Sequence, residues 1–240
     1  LLCPTGWLSP QHPDPSGKQL KQFCNLIALS SKVVFWDFVS LFQIPRTPQQ
    51  QMLFSDALSS MHVVYAHCRT MVVRLTDPVA GAATTTLYSK RGWPTFETAA
   101  SCGAADVVTI FNNRAGNSSM DRPVPMSTAT FSEILDTKIF TSRNADLQRV
   151  KNLYKNVYTT VAARRMLRIG DWDHSQTHQL LRVLGDLPKL RILEVRLAQV
   201  PVSWQREVSA EAARAGVAEI WPIHEALLAF TLRWFHSEEG

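Results

Sequence analysis

Glu97 closes the stretch Tyr88-Ser-Lys-Arg-Gly-Trp-Pro-Thr-Phe-Glu97, in which a basic turn leads through Trp93 to an acid four residues on. Gly92 and Pro94 punctuate it, and Thr95 is placed to cap a short helix carrying Phe96 to Ser101, with Glu97 in its first turn at the mouth of a sheet. A carboxylate beside an aromatic ring in that position is either a reactive group or a helix cap. A second constellation, Asp171-Trp-Asp173-His174-x-x-x-His178, sets two histidines at i and i+4 on one helix face beside carboxylates, a spacing that suits a metal. It lacks the His-Glu-x-x-His order of a metalloprotease, and solvent-exposed histidines explain it without a metal. His67 beside Cys68 pairs a base with a thiol, but adjacent residues on a strand point to opposite faces. Gly103 and Gly116 are isolated and build no phosphate loop, so a nucleotide would be held by helix ends and polar loop groups.

Those residues need a scaffold, and alternation of strand and helix patterns supplies one. Leu1 to Thr5 reads as a first strand ending at Gly6-Trp7. Ser9 to Gly17, broken by Pro10, Pro13 and Pro15, is a loop of the kind that lines a site. Leu20, Phe23, Cys24 and Ile27 give a helix over 18–29, and Lys32-Val-Val-Phe-Trp36 has the compact apolar character of a buried parallel strand. Asp37 then falls at the strand's C-terminal end with Ser40 and Gln43, the edge where ligands gather in open parallel sheets. Thr47-Pro-Gln-Gln50 opens a helix with a capping box, and Phe54, Leu58, Met61 and Tyr65 make its buried face. Strands are expected at Thr70 to Thr76 and Asp106 to Phe111, with a small-residue loop from Asp77 to Thr86. The simplest architecture is α/β, a doubly wound parallel sheet.

Residues 112–128 read as a long loop, and the boundary between units 1–128 and 129–240 is set at its end. Helices are expected over 130–137 and 144–165, the second with Leu147, Val150, Tyr154, Val157 and Val161 on one face and Lys and Arg on the other. Leu167 to Ile169 is a strand and Asp171 to Leu184 a helix. Leu187-x-x-Leu190-x-x-Leu193-x-Val195 then resembles the opening of a leucine-rich repeat, completed by a helix from Trp204 to Ala215. Trp221 to Phe235 reads as an apolar helix that must be buried or engage a partner.

The 240 residues, 45% hydrophobic and 19% charged, suffice for one large domain or a medium one with an appendage. A net charge of +5 is spread along the chain without a run, which argues against a nucleic-acid partner. Four scattered cysteines form no C-x-x-C pair and no disulfide framework, so reduced thiols in a cytoplasmic protein are expected. No run approaches the length of a membrane span. The chain opens on Leu1 rather than Met and reads as a piece of a longer protein.

Three segments taken together resemble a known family. Phe35-Trp-Asp37 followed by Gln43, Met61-x-x-x-Tyr65-Ala66 leading to Thr70-Met-Val-Val, and Arg91-Gly-Trp93-x-x-x-Glu97 come in the order found in fungal heterokaryon-incompatibility domains. The spacing from Trp93 to Glu97 is also similar to that in Toll/interleukin-1 receptor (TIR) domains. The resemblance covers roughly residues 1–111, under half of the chain. It implies a flavodoxin-like (TIR-like) parallel sheet flanked by helices over 1–128, with a leucine-rich-repeat-like α/β extension over 129–240. It also implies self-association or a protein partner in signalling or defence and, as in many TIR members, cleavage of the nicotinamide glycosidic bond of NAD.

On this resemblance Glu97 is the catalytic acid, contacting the ribose and stabilising an oxocarbenium-like transition state, and Trp93 supports it. Asp37, Trp7, Ser40, Gln43 and Arg91 belong to the substrate-binding set, with NAD as substrate, no cofactor and no metal. Pro94 departs from the pattern, standing where a small thiol or polar residue is usual, and Leu1 to Thr5 lacks the Ser-containing signature of TIR strands. The alternative expectation is a non-catalytic self-association or protein-interaction module of the same fold.

Overall fold

The computed structural model of the chain describes residues 12, 14–27, 33–76, 86–104, 106–110, 118–120, 123–171, 174–196, 202–217 and 219–222. The expected strand over 1–5, Trp7, most of the Asp77 to Thr86 loop and everything beyond 222 lie outside them.

Helix α1 (Lys18–Ile27) follows a turn at Gly17, whose φ of 69° suits glycine. Asp14 fastens its start, with Oδ2 accepting from the Leu20 amide at 2.8 Å. The strand expected over 32–36 is not formed among its described residues, 33–36. Of its described residues only Phe35 makes a bridge, Val33 is 88% exposed, and Asp37 begins the single-turn helix α2 (Asp37–Ser40) instead of ending a strand. An apolar run becomes a strand only beside a neighbour that offers a ladder, and its sequence does not reveal whether one is there.

Helix α3 (Pro48–Tyr65) has the expected start: Thr47 Oγ1 accepts from the Gln50 amide at 3.2 Å and Gln50 Oε1 from the Thr47 amide at 2.9 Å. Met61 and Tyr65 are buried, and Leu58 packs against the same core. Strand β1 (Met71–Leu75) is buried from Val72 to Leu75. A 3₁₀ turn, Tyr88–Lys90, then leads into helix α4 (Gly92–Ala100).

The start of α4 differs from the sequence expectation. Arg91 occupies its N-cap position, Thr95 lies inside it with Oγ1 donating to the Arg91 carbonyl at 2.7 Å, and Glu97 therefore sits beyond the first turn. Pro94 permits this because a first-turn residue has no use for its missing N–H. Gly92 is required there: the ring of Phe140 fills the space a Cβ would take.

Strand β2 (Asp106–Ile110) pairs in parallel with β1, and β3 (Ser118–Met120) pairs antiparallel to β2 inside the stretch expected to be loop. The first sheet is thus mixed, in the order β1-β2-β3. Helix α5 (Thr128–Asp136) is capped by Ser127, and α6 (Arg143–Ala162) packs on α3, α4 and α5 through Val150, Leu153, Tyr154, Val157 and Val161.

Past α6, Arg164 ties the layers together. Its Nη1 donates to the Gly103 carbonyl and its Nη2 to the Ala66 carbonyl, both at 2.6 Å, satisfying groups just beyond α4 and at the C-cap of α3. A guanidinium fork suits two carbonyls at helix ends, where positive charge is favoured. Arg164→Ala is expected to lower unfolding stability by about 2–3 kcal/mol, read as a lower urea midpoint at unchanged slope. Arg164→Lys should recover less than half of it, because an ammonium is a point donor.

The described residues from 166 to 222 repeat one unit. Strand β4 (Met166–Asp171), helix α7 (His174–Leu184), strand β5 (Ile192–Arg196), helix α8 (Val202–Arg214) and strand β6 (Glu219–Pro222) alternate, and the strands form a parallel sheet in the order β4-β5-β6. Met166, Ile192 and Glu219 stand in register, 26 and 27 residues apart, as do Leu167, Leu193 and Ile220. Leu187, Leu190 and Leu193 are all buried, which accounts for their three-residue spacing. Trp221 lies in β6 rather than opening a helix.

The chain is thus α/β, mixing helices with two small sheets among the described residues. One hydrophobic core runs from Met61 on α3 through Phe96, Phe131 and Leu153 to Leu180, Leu193 and Val217. Among the described residues no helix is long and apolar enough to cross a membrane.

Candidate functional site

Three elements bring groups to Glu97 on α4: Tyr65 comes from the last turn of α3, Tyr88 from the 3₁₀ turn and Asp37 from the start of α2, while Arg74 on β1 acts on Tyr88. Tyr88 Oη donates to Glu97 Oε2 at 3.4 Å, and Tyr65 hydrogen-bonds the same carboxyl. Arg74 is buried in an otherwise apolar strand, and its charge acts on the Tyr88 phenol.

Glu97 is 8% exposed, which leaves the site dry but not sealed. Burial pushes its carboxyl up to about 8; the negative charge of Asp37 pushes the same way, and the hydrogen bonds from Tyr65 and Tyr88 pull it back. At neutral pH Glu97 is therefore mostly a neutral acid. Burial also raises the phenols of Tyr65 and Tyr88, with the Glu97 charge next in importance for each, so both remain hydrogen-bond donors.

Trp93 and Glu97, four residues apart, lie on one face of α4. The Trp93 ring meets Phe96 edge-on with centroids 6.1 Å apart, and Phe96 meets Tyr65 edge-on at 6.1 Å. An aromatic wall thus leads from Trp93 to the tyrosine that touches the acid. Beside α2, the ring of His12 lies 4.5 Å from Phe38, so the N-terminal loop approaches the element that carries Asp37.

The other residues singled out from the sequence are placed as follows. Ser40 Oγ accepts from the Trp36 amide at 3.0 Å. The Gln43 amide donates to the carbonyls of Asp37, Phe38 and Leu41 at 3.5, 3.1 and 2.9 Å, bracing α2 from below. Both position the Asp37 segment. Arg91 Nε donates to the Thr86 carbonyl at 3.2 Å, and burial lowers its guanidinium. Trp7 lies outside the described residues. His174 and His178 fall in α7.

Three members of the cluster are absent from the site residues read from sequence: Tyr65, which stands there as a core position and in the family motif, Tyr88, which opens the Glu97 stretch, and Arg74. Arg74 carried a signal, as the one charge in the apolar run from Met71 to Leu75. No family model, no curated protein and no solved structure matches the chain.

Proposed function

We propose that the Glu97 cluster cleaves the glycosidic bond between C1′ of ribose and the nicotinamide nitrogen of NAD, on a flavodoxin-like, TIR-like frame. The observation that carries the reading is a buried carboxyl, Glu97, within electrostatic reach of a second one, Asp37, from a separate element, where burial first and the charge of Asp37 next hold Glu97 far above an ordinary carboxylate. Carboxyl pairs whose proton affinities are driven apart are the working parts of glycosidic chemistry.

In the reaction the C1′–N bond breaks with its electron pair passing to the pyridine ring, so nicotinamide leaves neutral and needs no proton. The charge of Asp37 offsets positive charge growing at C1′, where a low dielectric makes that attraction strong. Glu97, once ionised, accepts the proton that water loses as it adds to C1′. Tyr65 and Tyr88 orient the carboxyl.

The test is nicotinamide release from NAD by the purified chain at high protein concentration. Wild type should release it, and Glu97→Gln should be slower by about 10²–10³-fold. Wild type without release, in a preparation that self-associates, would overturn the enzyme reading in favour of an assembly module. That second reading has its own observation: Val39 (69%), Ile44 (80%), Phe42 and Leu53 leave apolar side chains exposed around α2 and the start of α3. The β–α units of the C-terminal region, which the sequence likens to leucine-rich repeats, would add a partner surface.

A further inference from the structure

The turn that carries Tyr88 to Glu97 also gathers positive charge. Segments 89–92 and 138–140 are fastened side by side: the Ile139 amide donates to the Lys90 carbonyl and the Gly92 amide to the Ile139 carbonyl, both at 2.9 Å, while the Phe140 ring packs on Gly92. Lys138 Nζ donates to the Ser89 carbonyl at 2.8 Å, which places its ammonium over the 3₁₀ turn from which Lys90 projects.

Arg143 then rigidifies the second segment from behind, its Nη1 and Nη2 donating to the carbonyls of Lys138 and Asp136 at 2.8 Å each. The acid two residues before Lys138, Asp136, is held by Lys151 at 2.8 and 2.9 Å. The described ion pairs are Arg149 with Asp146, Lys151 with Asp136, and Arg214 with Glu211, so neither Lys90 nor Lys138 takes part in one.

We propose that Lys90 and Lys138 form the seat of a diphosphate group, that of the dinucleotide whose glycosidic bond meets Glu97. The inference rests on the reading above for the identity of the ligand, but not for the anion site itself. Two lysines carried on neighbouring braced segments, one with its ammonium fixed over the turn that bears the other and with the carboxylate of Asp136 already engaged, repel each other when no anion is present. A doubly charged, oxygen-rich anion removes that repulsion and accepts from both. Consistently, burial lowers the Lys138 ammonium and the charge of Lys90 lowers it further. In a dinucleotide the diphosphate is joined to the reacting ribose through its 5′-methylene, and here one turn carries both Lys90 and the Tyr88 that holds Glu97.

The experiment has two arms. In the first, inorganic pyrophosphate is titrated into the full chain by calorimetry at low ionic strength. Wild type should bind, and Lys90→Ala/Lys138→Met should bind at least tenfold more weakly while keeping the circular dichroism spectrum of the folded wild type in the absence of ligand. Glu97→Gln should bind like wild type. In the second, NAD cleavage by the lysine variant should show a KM raised at least tenfold with kcat changed less than threefold, and cleavage of nicotinamide riboside, which lacks phosphate, should be indifferent to the lysines. Pyrophosphate binding lost in the variant without any NAD cleavage by wild type would uphold the anion site and sink the glycohydrolase reading. NAD cleavage with KM unmoved by the lysine substitutions would uphold that reading and overturn this inference. Pyrophosphate binding equally weak in wild type and variant would also overturn it, and tighter binding of a single-stranded oligonucleotide than of NAD at the same lysines would replace the dinucleotide with a nucleic acid.

Discussion

Glu97→Gln is expected to make the protein more stable above pH 7, not less. In the folded chain the carboxyl stays protonated up to about 8, against an ordinary value of 4.5. Between those values the unfolded chain has released a proton that the folded chain still holds, so stability falls as pH rises. The stabilising contribution is complete below 4.5 and lost as pH climbs through 8, at about 1.4 kcal/mol for each pH unit and roughly 5 kcal/mol in all. Gln mimics the neutral acid in shape and keeps an oxygen for the tyrosine hydroxyls, yet it cannot ionise. Plotted against pH, the unfolding free energies of wild type and variant should run together near pH 5 and diverge steadily, the variant ahead by several kcal/mol at pH 8.5. Other groups titrate in both proteins, so the difference curve is the measurement. Parallel curves would mean that Glu97 ionises normally and that burial does not govern it.

What could be seen from sequence was what depends on near neighbours. The capping box at Thr47 to Gln50, the amphipathic face of α6 and the buried Leu187, Leu190 and Leu193 are all set by residues within a few positions of each other, and the structure bears each out. The failures have local causes as well. Lys32 to Trp36 had strand chemistry, but among its described residues only Phe35 bridges to anything. The helix start was set at Thr95 because Thr is the better cap, whereas Pro94 fits the first turn equally well and lets α4 begin at Gly92. Ile220 and Trp221 have apolar character that suits helix or strand, and their register with Leu193 and Glu194 decides the matter.

The candidate site shows the same division. Glu97 and Trp93 stood out because they are four residues apart, and Asp37 because of its place after an apolar run. Their partners are contacts across the chain: Tyr65 reaches Glu97 from the end of another helix, and the charge of Arg74 acts from a strand on Tyr88. Local periodicity marks Tyr65 as core, and it is core; that its hydroxyl meets a buried carboxyl follows only once α3 and α4 pack together around Phe96.

The pH dependence of NAD cleavage should separate the two roles open to Glu97. If the ionised carboxylate takes the proton from attacking water, kcat/KM rises tenfold for each pH unit below about 8 and levels above it, so the rate at pH 6 is about a hundredth of the plateau. If the neutral acid were the active form, the limb would fall through 8 instead. Nicotinamide leaves without needing a proton, so the rising limb is expected. Asp37→Asn sharpens the test, because the charge of Asp37 helps hold Glu97 up. Removing it should move the rising limb toward lower pH while lowering the plateau, since the same charge offsets the positive anomeric carbon. A site in which Asp37 merely capped its own turn would lose neither; its Oδ1 does accept from the Phe38 amide at 2.7 Å, so a structural role predicts lower stability with the limb in place. The shift of the limb, more than the loss of rate, therefore distinguishes an electrostatic partner of Glu97 from a residue that only shapes α2.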